Sequence, residues 1–298
     1  MIMPQNQADG LRNLKVAPKS LKNKKALRCM AIASGKGGVG KTFVSVNTAI
    51  ALASLGNKVL LVDADLGLAN VDILLGANPE FTLQDVIFHG KPVKDVVYST
   101  DYGVDFIAAS SGERDMLNIG NVRLSNVVHE LLSFASEYDI LLFDCGAGIN
   151  NSVTSFIAAA PQTLIVMTME PTSIMDAYAL MKVARQEKLS DNINIVLNMV
   201  RSDEQGQKVF NNLTKISENY LYSTVNLLGM IPYTPAVHKA TVKRQPLITL
   251  DKDGEIARRI KSIAGRIMGK QGIPVSEFNT DAFIKGIMNM HGGQNVLE

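Results

Sequence analysis

Residues 34–42 read SGKGGVGKT, and within them 35-GKGGVGKT-42 satisfies the pattern G-x-x-x-x-G-K-[ST]. The octet follows the short apolar run 27-LRCMAIAS-34 and precedes 42-TFVSVNTAIALASLG-56. It therefore reads as the loop between a buried strand and a helix that Gly56 stops. In that context Gly35, Gly37, Gly38 and Gly40, with Lys36 and Val39 between them, let successive backbone N–H groups converge as an anion nest. Lys41 is placed to bridge the β- and γ-phosphates of a nucleotide, and Thr42 to hold Mg²⁺ through its hydroxyl. A glycine turn with an incidental lysine would need no such flanking strand and helix. Lys36 is left over, because the phosphate end of such a loop requires one ammonium.

Outward from the loop, 58-KVLLVDAD-65 is a second buried strand with acids at its end. Further strands are expected at 104–109, 139–145, 163–168, 193–200 and 225–231. Helical patterns lie at 121–137, 150–159, 172–188, 204–220, 235–243 and 253–269. Continuous apolar strands alternating with amphipathic helices predict an α/β fold, a mostly parallel twisted sheet with helices on both faces. One domain is expected over 27–270. A basic arm, 1–26, precedes it and a tail, 271–298, follows.

Two acidic segments bear on the chemistry. In 139-DILLFDCGAG-148, Asp144 ends a buried strand where the Mg²⁺ of loop-type nucleotide hydrolases lies, and the glycines after it permit movement. In 62-VDADLGLANVD-72, Asp63 and Asp65 are two residues apart on a strand, so both can address the phosphate end. Either segment also admits a plainer reading, in which an acid caps the turn or helix that follows.

The bulk composition narrows the class. Cys29 and Cys145 have no close mates, so neither a disulfide framework nor a zinc or iron–sulfur site is expected. His89, His129, His238 and His291 are scattered rather than spaced as metal ligands. The polar N-terminus shows no signal peptide, and no run of about 18 apolar residues occurs, which points to the cytoplasm. The net charge of +2 is asymmetric: residues 1–28 carry +6, leaving −4 for the rest.

GKGGVGKT resembles the deviant phosphate loop of the MinD/ParA ATPases, whose mark is the early lysine. VDADLGLANVD and FDCGAG are similar to that family's two switch segments, and 231-IPYTPAVHKA-240 to its loop near the base. The likeness runs over roughly residues 27–268 and implies an ATP-dependent homodimer with two ATPs sandwiched between subunits. It also implies that Lys36 reaches the partner subunit's phosphates and that Asp65 positions the attacking water. By the same likeness Asp63 acts through Mg²⁺-bound water, Asp144 holds the metal and Asn198 contacts adenine. The opening 6-NQADGLR-12, with 146-GAGI-149, 170-EPTSIMDAYAL-180 and 198-NMVRSDEQG-206, resembles the FlhG (FleN) branch, regulators of flagellar number. Asn6 and Met175 depart from that branch's pattern.

This second resemblance implies that Gln7, Ala8, Leu11 and Arg12 stimulate an FlhF-type GTPase. It further implies contacts with flagellar C-ring (switch) proteins and a flagellar transcription activator. It also implies ATP-dependent peripheral association with the inner face of the membrane. In 281-DAFIKGIMNM-290, Phe283, Ile284, Ile287 and Met288 share one helical face. That face can enter an anionic membrane surface or fold back on the body. The arm's lysines suit anionic lipid, nucleic acid or an acidic partner, but with no aromatic residue in 1–28 base stacking is not supported, and a solvated linker carrying the partner motif is the favoured reading. Direct DNA binding is not expected of a chain whose body is mildly acidic. The alternative functions are ParA-type DNA partitioning and MinD-type septum positioning.

Overall fold

The structure is a computed structural model that describes residues 27–65, 69–109, 121–190 and 192–269. The partner motif at Gln7–Arg12 and the apolar face at Phe283–Met288 lie outside these residues. Eight strands form one sheet: β1 (Arg28–Ser34), β2 (Val59–Ala64), β3 (Val97–Ser99), β4 (Val104–Ile107), β5 (Ile140–Ala147), β6 (Gln162–Met167), β7 (Ile193–Val200) and β8 (Asn226–Pro232). Their spatial order is β3-β4-β2-β5-β1-β6-β7-β8. Every pairing is parallel except the edge pair β3–β4.

The apolar runs explain the layers. β2 and β6 are buried at every position, as strands covered on both faces must be. One set of side chains, including Ala31, Leu60, Phe143, Ile165 and Leu197, packs under α3 (Leu83–His89), α5 (Asn121–Ala135), α6 (Asn151–Ala159), α7 (Pro171–Gln186) and α8 (Asp203–Leu221). The alternating set, including Ile32, Leu61, Phe106, Leu142 and Val166, packs under α1 (Lys41–Ser54), α2 (Val71–Leu75), α9 (Pro235–Val242), α10 (Leu247–Leu250) and α11 (Glu255–Ile267). The period of two along each strand thus sorts side chains between two cores.

The helix after β1 lies on one face and the helix after β5 on the other, although the two strands are neighbours. Their C-terminal ends therefore open a crevice at a topological switch point, where open α/β sheets hold their ligands.

The expected strands and long helices are present with ends shifted by a residue or two. The segment 69–99 was not resolved into elements by the sequence. It holds α2, α3, the four-residue α4 (Val93–Val96) and β3. These are too short to show a helical or strand period.

Candidate functional site

The loop between β1 and α1 is tied to three neighbours. Ser34 Oγ donates to the Lys36 carbonyl at 3.0 Å, and the Gly148 N–H donates to the Ser34 carbonyl at 2.8 Å. Asn198 Nδ2, at the end of β7, donates to the Val39 carbonyl at 2.8 Å. Gly40 precedes α1 in the left-handed region with φ 83°, and a Cβ there would overlap the Asn198 amide. At the other end, a Cβ on Gly35 would overlap the Asp176 backbone of α7. Glycine is thus required at both ends of the loop by close approach of other elements.

Lys41 turns inward. Its Nζ lies 2.9 Å from Asp144 Oδ1, with both side chains buried (7% and 1% exposed). Ser45, one turn further along α1, donates to the same carboxylate oxygen at 2.6 Å. Burial opposes the Lys41 charge, but Asp144 more than offsets it and holds the ammonium above its ordinary pKa. Ser45 was not singled out from sequence. Its position four residues after Lys41, on the same helical face, is the signal that could have found it.

Asp63 pairs in register with Asp144 across β2 and β5. Its carboxylate accepts the N–H groups of Asp65 (3.0 Å), Asn70 (3.1 Å) and Val71 (3.2 Å). It thus caps the start of α2, the plainer role for an acid at this strand end. Burial, and then the charge of Asp144, push its pKa up to about 7 against those three hydrogen bonds. Asp65 is half-buried, and a Cβ on Gly146 would touch its carboxylate, so it faces the segment leaving β5.

Lys36 points elsewhere. Its Nζ is 3.0 Å from Thr172 Oγ1 and 3.4 Å from Glu170 Oε2, at the N-terminal turn of α7. Both charged groups are open to solvent (41% and 68% exposed). A cleft of about 700 Å³ lies beside this turn, lined by Glu170, Met199, Arg201, Gln205, Val209 and Tyr233. Asn198 is 4% exposed and lies beneath the loop, its amide nitrogen committed to the Val39 carbonyl.

The expected residues of the loop, Asp63, Asp65, Asp144 and Asn198 are therefore brought together at one edge of the sheet. The oxygen groups that the structure brings together here are the Asp144 carboxylate and the Ser45 hydroxyl bonded to it, with Asp63 in register beside them. Hard oxygen donors in that small number suit Mg²⁺ arriving with phosphates, rather than an all-protein cage. Among the described residues no group of three or more His, Cys, Asp or Glu could hold a metal alone. Both cysteines are buried and free, and burial pushes their thiols up, so neither acts as a thiolate.

A glycine loop closing on a helix, with a lysine and a strand-end carboxylate paired behind it, defines a P-loop nucleotide-binding protein. The chain belongs to the CobQ/CobB/MinD/ParA nucleotide-binding family, whose domain model matches residues 30–247. It is 38% identical over 241 residues to the antiactivator FleN of Pseudomonas aeruginosa, covering 81% of this chain and 86% of that one. It is 30% identical to the flagellum site-determining protein YlxH of Helicobacter pylori, covering 89% of this chain and 91% of that one. Among solved structures, the septum site-determining protein MinD of Pyrococcus horikoshii, complexed with Mg-ADP, superposes with a TM-score of 0.68 at 27% identity. The match covers 83% of this chain and 98% of that one. The fold is thus the MinD-like one.

Proposed function

We propose that this MinD-like chain is an ATPase that pairs with a second copy when ATP and Mg²⁺ are bound. In that state it docks on the inner membrane surface and limits flagellar number and assembly. The carrying observation is the second lysine of the loop. Lys36 stands on the rim of the nucleotide edge, held among the described residues by two solvent-exposed partners, while Lys41 occupies the buried phosphate end. Exposed Ile149, Met175 and Tyr233 lie at the same edge of the sheet, an apolar surface suited to self-association.

In this reading Lys41 and the loop N–H groups hold the phosphates in cis. Thr42 and Asp144 would hold Mg²⁺, with Asp63 placed to act through the ion's hydration shell, and the ion would supply neutralisation of phosphate charge. Asp65 orients the attacking water, and Asn198 fixes the loop while facing the adenine. Lys36 of a facing copy supplies a second cation to the γ-phosphate, the role of an arginine finger. Hydrolysis then depends on dimerisation.

The organisation that goes with it is a basic arm at 1–26, the ATPase domain at 27–270 and a tail at 271–298. Gln7, Ala8, Leu11 and Arg12 engage an FlhF-type GTPase; C-ring switch proteins and a flagellar transcription activator are further partners. Phe283, Ile284, Ile287 and Met288 enter the membrane, and the protein otherwise resides in the cytoplasm. No described helix is long and apolar enough to cross a bilayer. The test is ATP turnover and light-scattering mass of the wild type and of Lys36→Ala. The variant should still bind ATP but turn it over at least tenfold more slowly, about 1.4 kcal/mol in barrier. Wild-type turnover in Lys36→Ala would refute the trans role.

A further inference from the structure

The turn that receives Lys36 holds a cation at a place that resists one. The start of a helix carries the positive end of its dipole and repels an ammonium. α7 has no acid within its first turn, and Glu170, at the N-cap position, supplies the carboxylate there. Lys36 Nζ reaches Thr172 Oγ1 at 3.0 Å and Glu170 Oε2 at 3.4 Å. Without these two groups the ammonium would face the open backbone N–H groups of the helix end.

The backbone on both sides is firm. The Thr168 N–H donates to the buried Ser173 Oγ at 3.0 Å, and the Glu170 N–H donates to Thr168 Oγ1 at 3.4 Å. Across from them, Ser34 Oγ holds the Lys36 carbonyl, and Gly35 abuts the Asp176 backbone. Only the two long, solvent-exposed side chains are left to let go.

We infer that this turn is a latch: Glu170 and Thr172 keep Lys36 on its own subunit and so raise the threshold at which two copies pair. This rests on the trans reading of Lys36 above and adds what restrains it. A lysine bonded to its own α7 cannot at the same moment reach the phosphates of a facing copy. Pairing must first open the latch on each copy.

The magnitudes suit a threshold rather than a block. An exposed ion pair shifts an equilibrium by about twofold to fivefold. Two identical copies open two latches, so the factor enters the dimer equilibrium twice, as about fourfold to twenty-fivefold. That is small enough for a γ-phosphate, a more highly charged acceptor than one carboxylate, to overcome. It is large enough to set the concentration at which copies pair.

The experiment is sedimentation of the full chain over a range of protein concentrations in Mg²⁺ and a non-hydrolysable ATP analogue, at low and at high salt. Wild type is compared with Glu170→Gln, Thr172→Val, Lys36→Ala and Lys36→Ala/Glu170→Gln. At low salt Glu170→Gln should lower the dimer dissociation constant about fivefold or more, and Thr172→Val should lower it less. High salt should bring the wild type toward both. A gain in pairing is a result that a damaged fold does not produce. With Lys36 removed the latch has nothing to hold, so the double variant should pair no better than Lys36→Ala. Unchanged or weaker pairing of Glu170→Gln would overturn the latch. An equal gain in the absence of Lys36 would also overturn it, and would make Glu170 a repulsive charge between copies. If wild type and Glu170→Gln both stay monomeric with the analogue, the pairing reading itself falls, and the latch with it.

Discussion

The two ends of the phosphate loop make a useful contrast. At one end Lys41 is 7% exposed and pairs with a carboxylate that is 1% exposed. At the other end Lys36 is 41% exposed and rests on a glutamate that is 68% exposed. Coulomb attraction between open charges is screened by solvent and contributes little, whereas removing one member of a buried pair leaves an uncompensated charge. The buried end is thus fixed in advance of any ligand, and the open end is free to change partner at small cost. A loop with one rigid and one releasable cation can hold its own phosphate continuously and offer a contact elsewhere only on demand.

The largest expected effect attacks the rigid end. Lys41→Met should lower unfolding stability by about 3–5 kcal/mol in urea, because Asp144 is left buried and unpaired. Lys41→Met/Asp144→Leu should recover most of that loss. A double variant as unstable as the single one would mean that the ion pair is not the source.

A second test sharpens the electrostatics of that end in the nucleotide-free protein. Asp63 has a folded pKa near 7 against an ordinary 3.8, so the folded state keeps a proton that the unfolded chain releases. Its contribution is therefore most favourable at low pH and declines as pH rises from about 4 to about 7, by on the order of 4 kcal/mol. The slope of stability with pH over that window should flatten in Asp63→Asn; an unchanged slope would show that the carboxyl is already ionised.

Next in size, Gly35→Ala drives a methyl into the Asp176 backbone and should cost about 1–3 kcal/mol, read as a lowered thermal midpoint. It also displaces α7 from Lys36, and so couples the two halves of the contrast. The smallest effect belongs to the releasable end. Lys36→Ala should leave stability within about 0.5 kcal/mol of wild type in urea. A loss approaching that of Lys41→Met would erase the distinction.

The sequence made the loop and the central strands legible because each carries a strong local signal: a spaced glycine motif, or an unbroken apolar run bounded by acids. The same signals placed Asp144 and Lys41 at one crevice, where the structure shows them in contact. What escaped lies in tertiary geometry. Ser45 joins Asp144 only because α1 packs across the end of β5. Asp63 turns to cap α2, a helix of five residues with too few turns to show a period. Asn198 reaches the loop from a strand two places away from β1 in the sheet, at a sequence separation of 159. Local patterns do not encode such contacts; the sheet order does.

The described chain begins and ends at one spot, its two exits side by side: the Arg28 guanidinium, at the start of β1, donates to Met268 Sδ, just past α11, at 3.1 Å. That juxtaposition governs how the molecule can be labelled. Strands of six to eight residues separate that edge from the phosphate loop, a thickness of about 20–26 Å. A fluorophore placed near either exit is too far away to obstruct nucleotide, and one placed at each exit starts within energy-transfer range of the other. Such a doubly labelled chain would report directly on whether the spacing of the two exits changes when ATP is added.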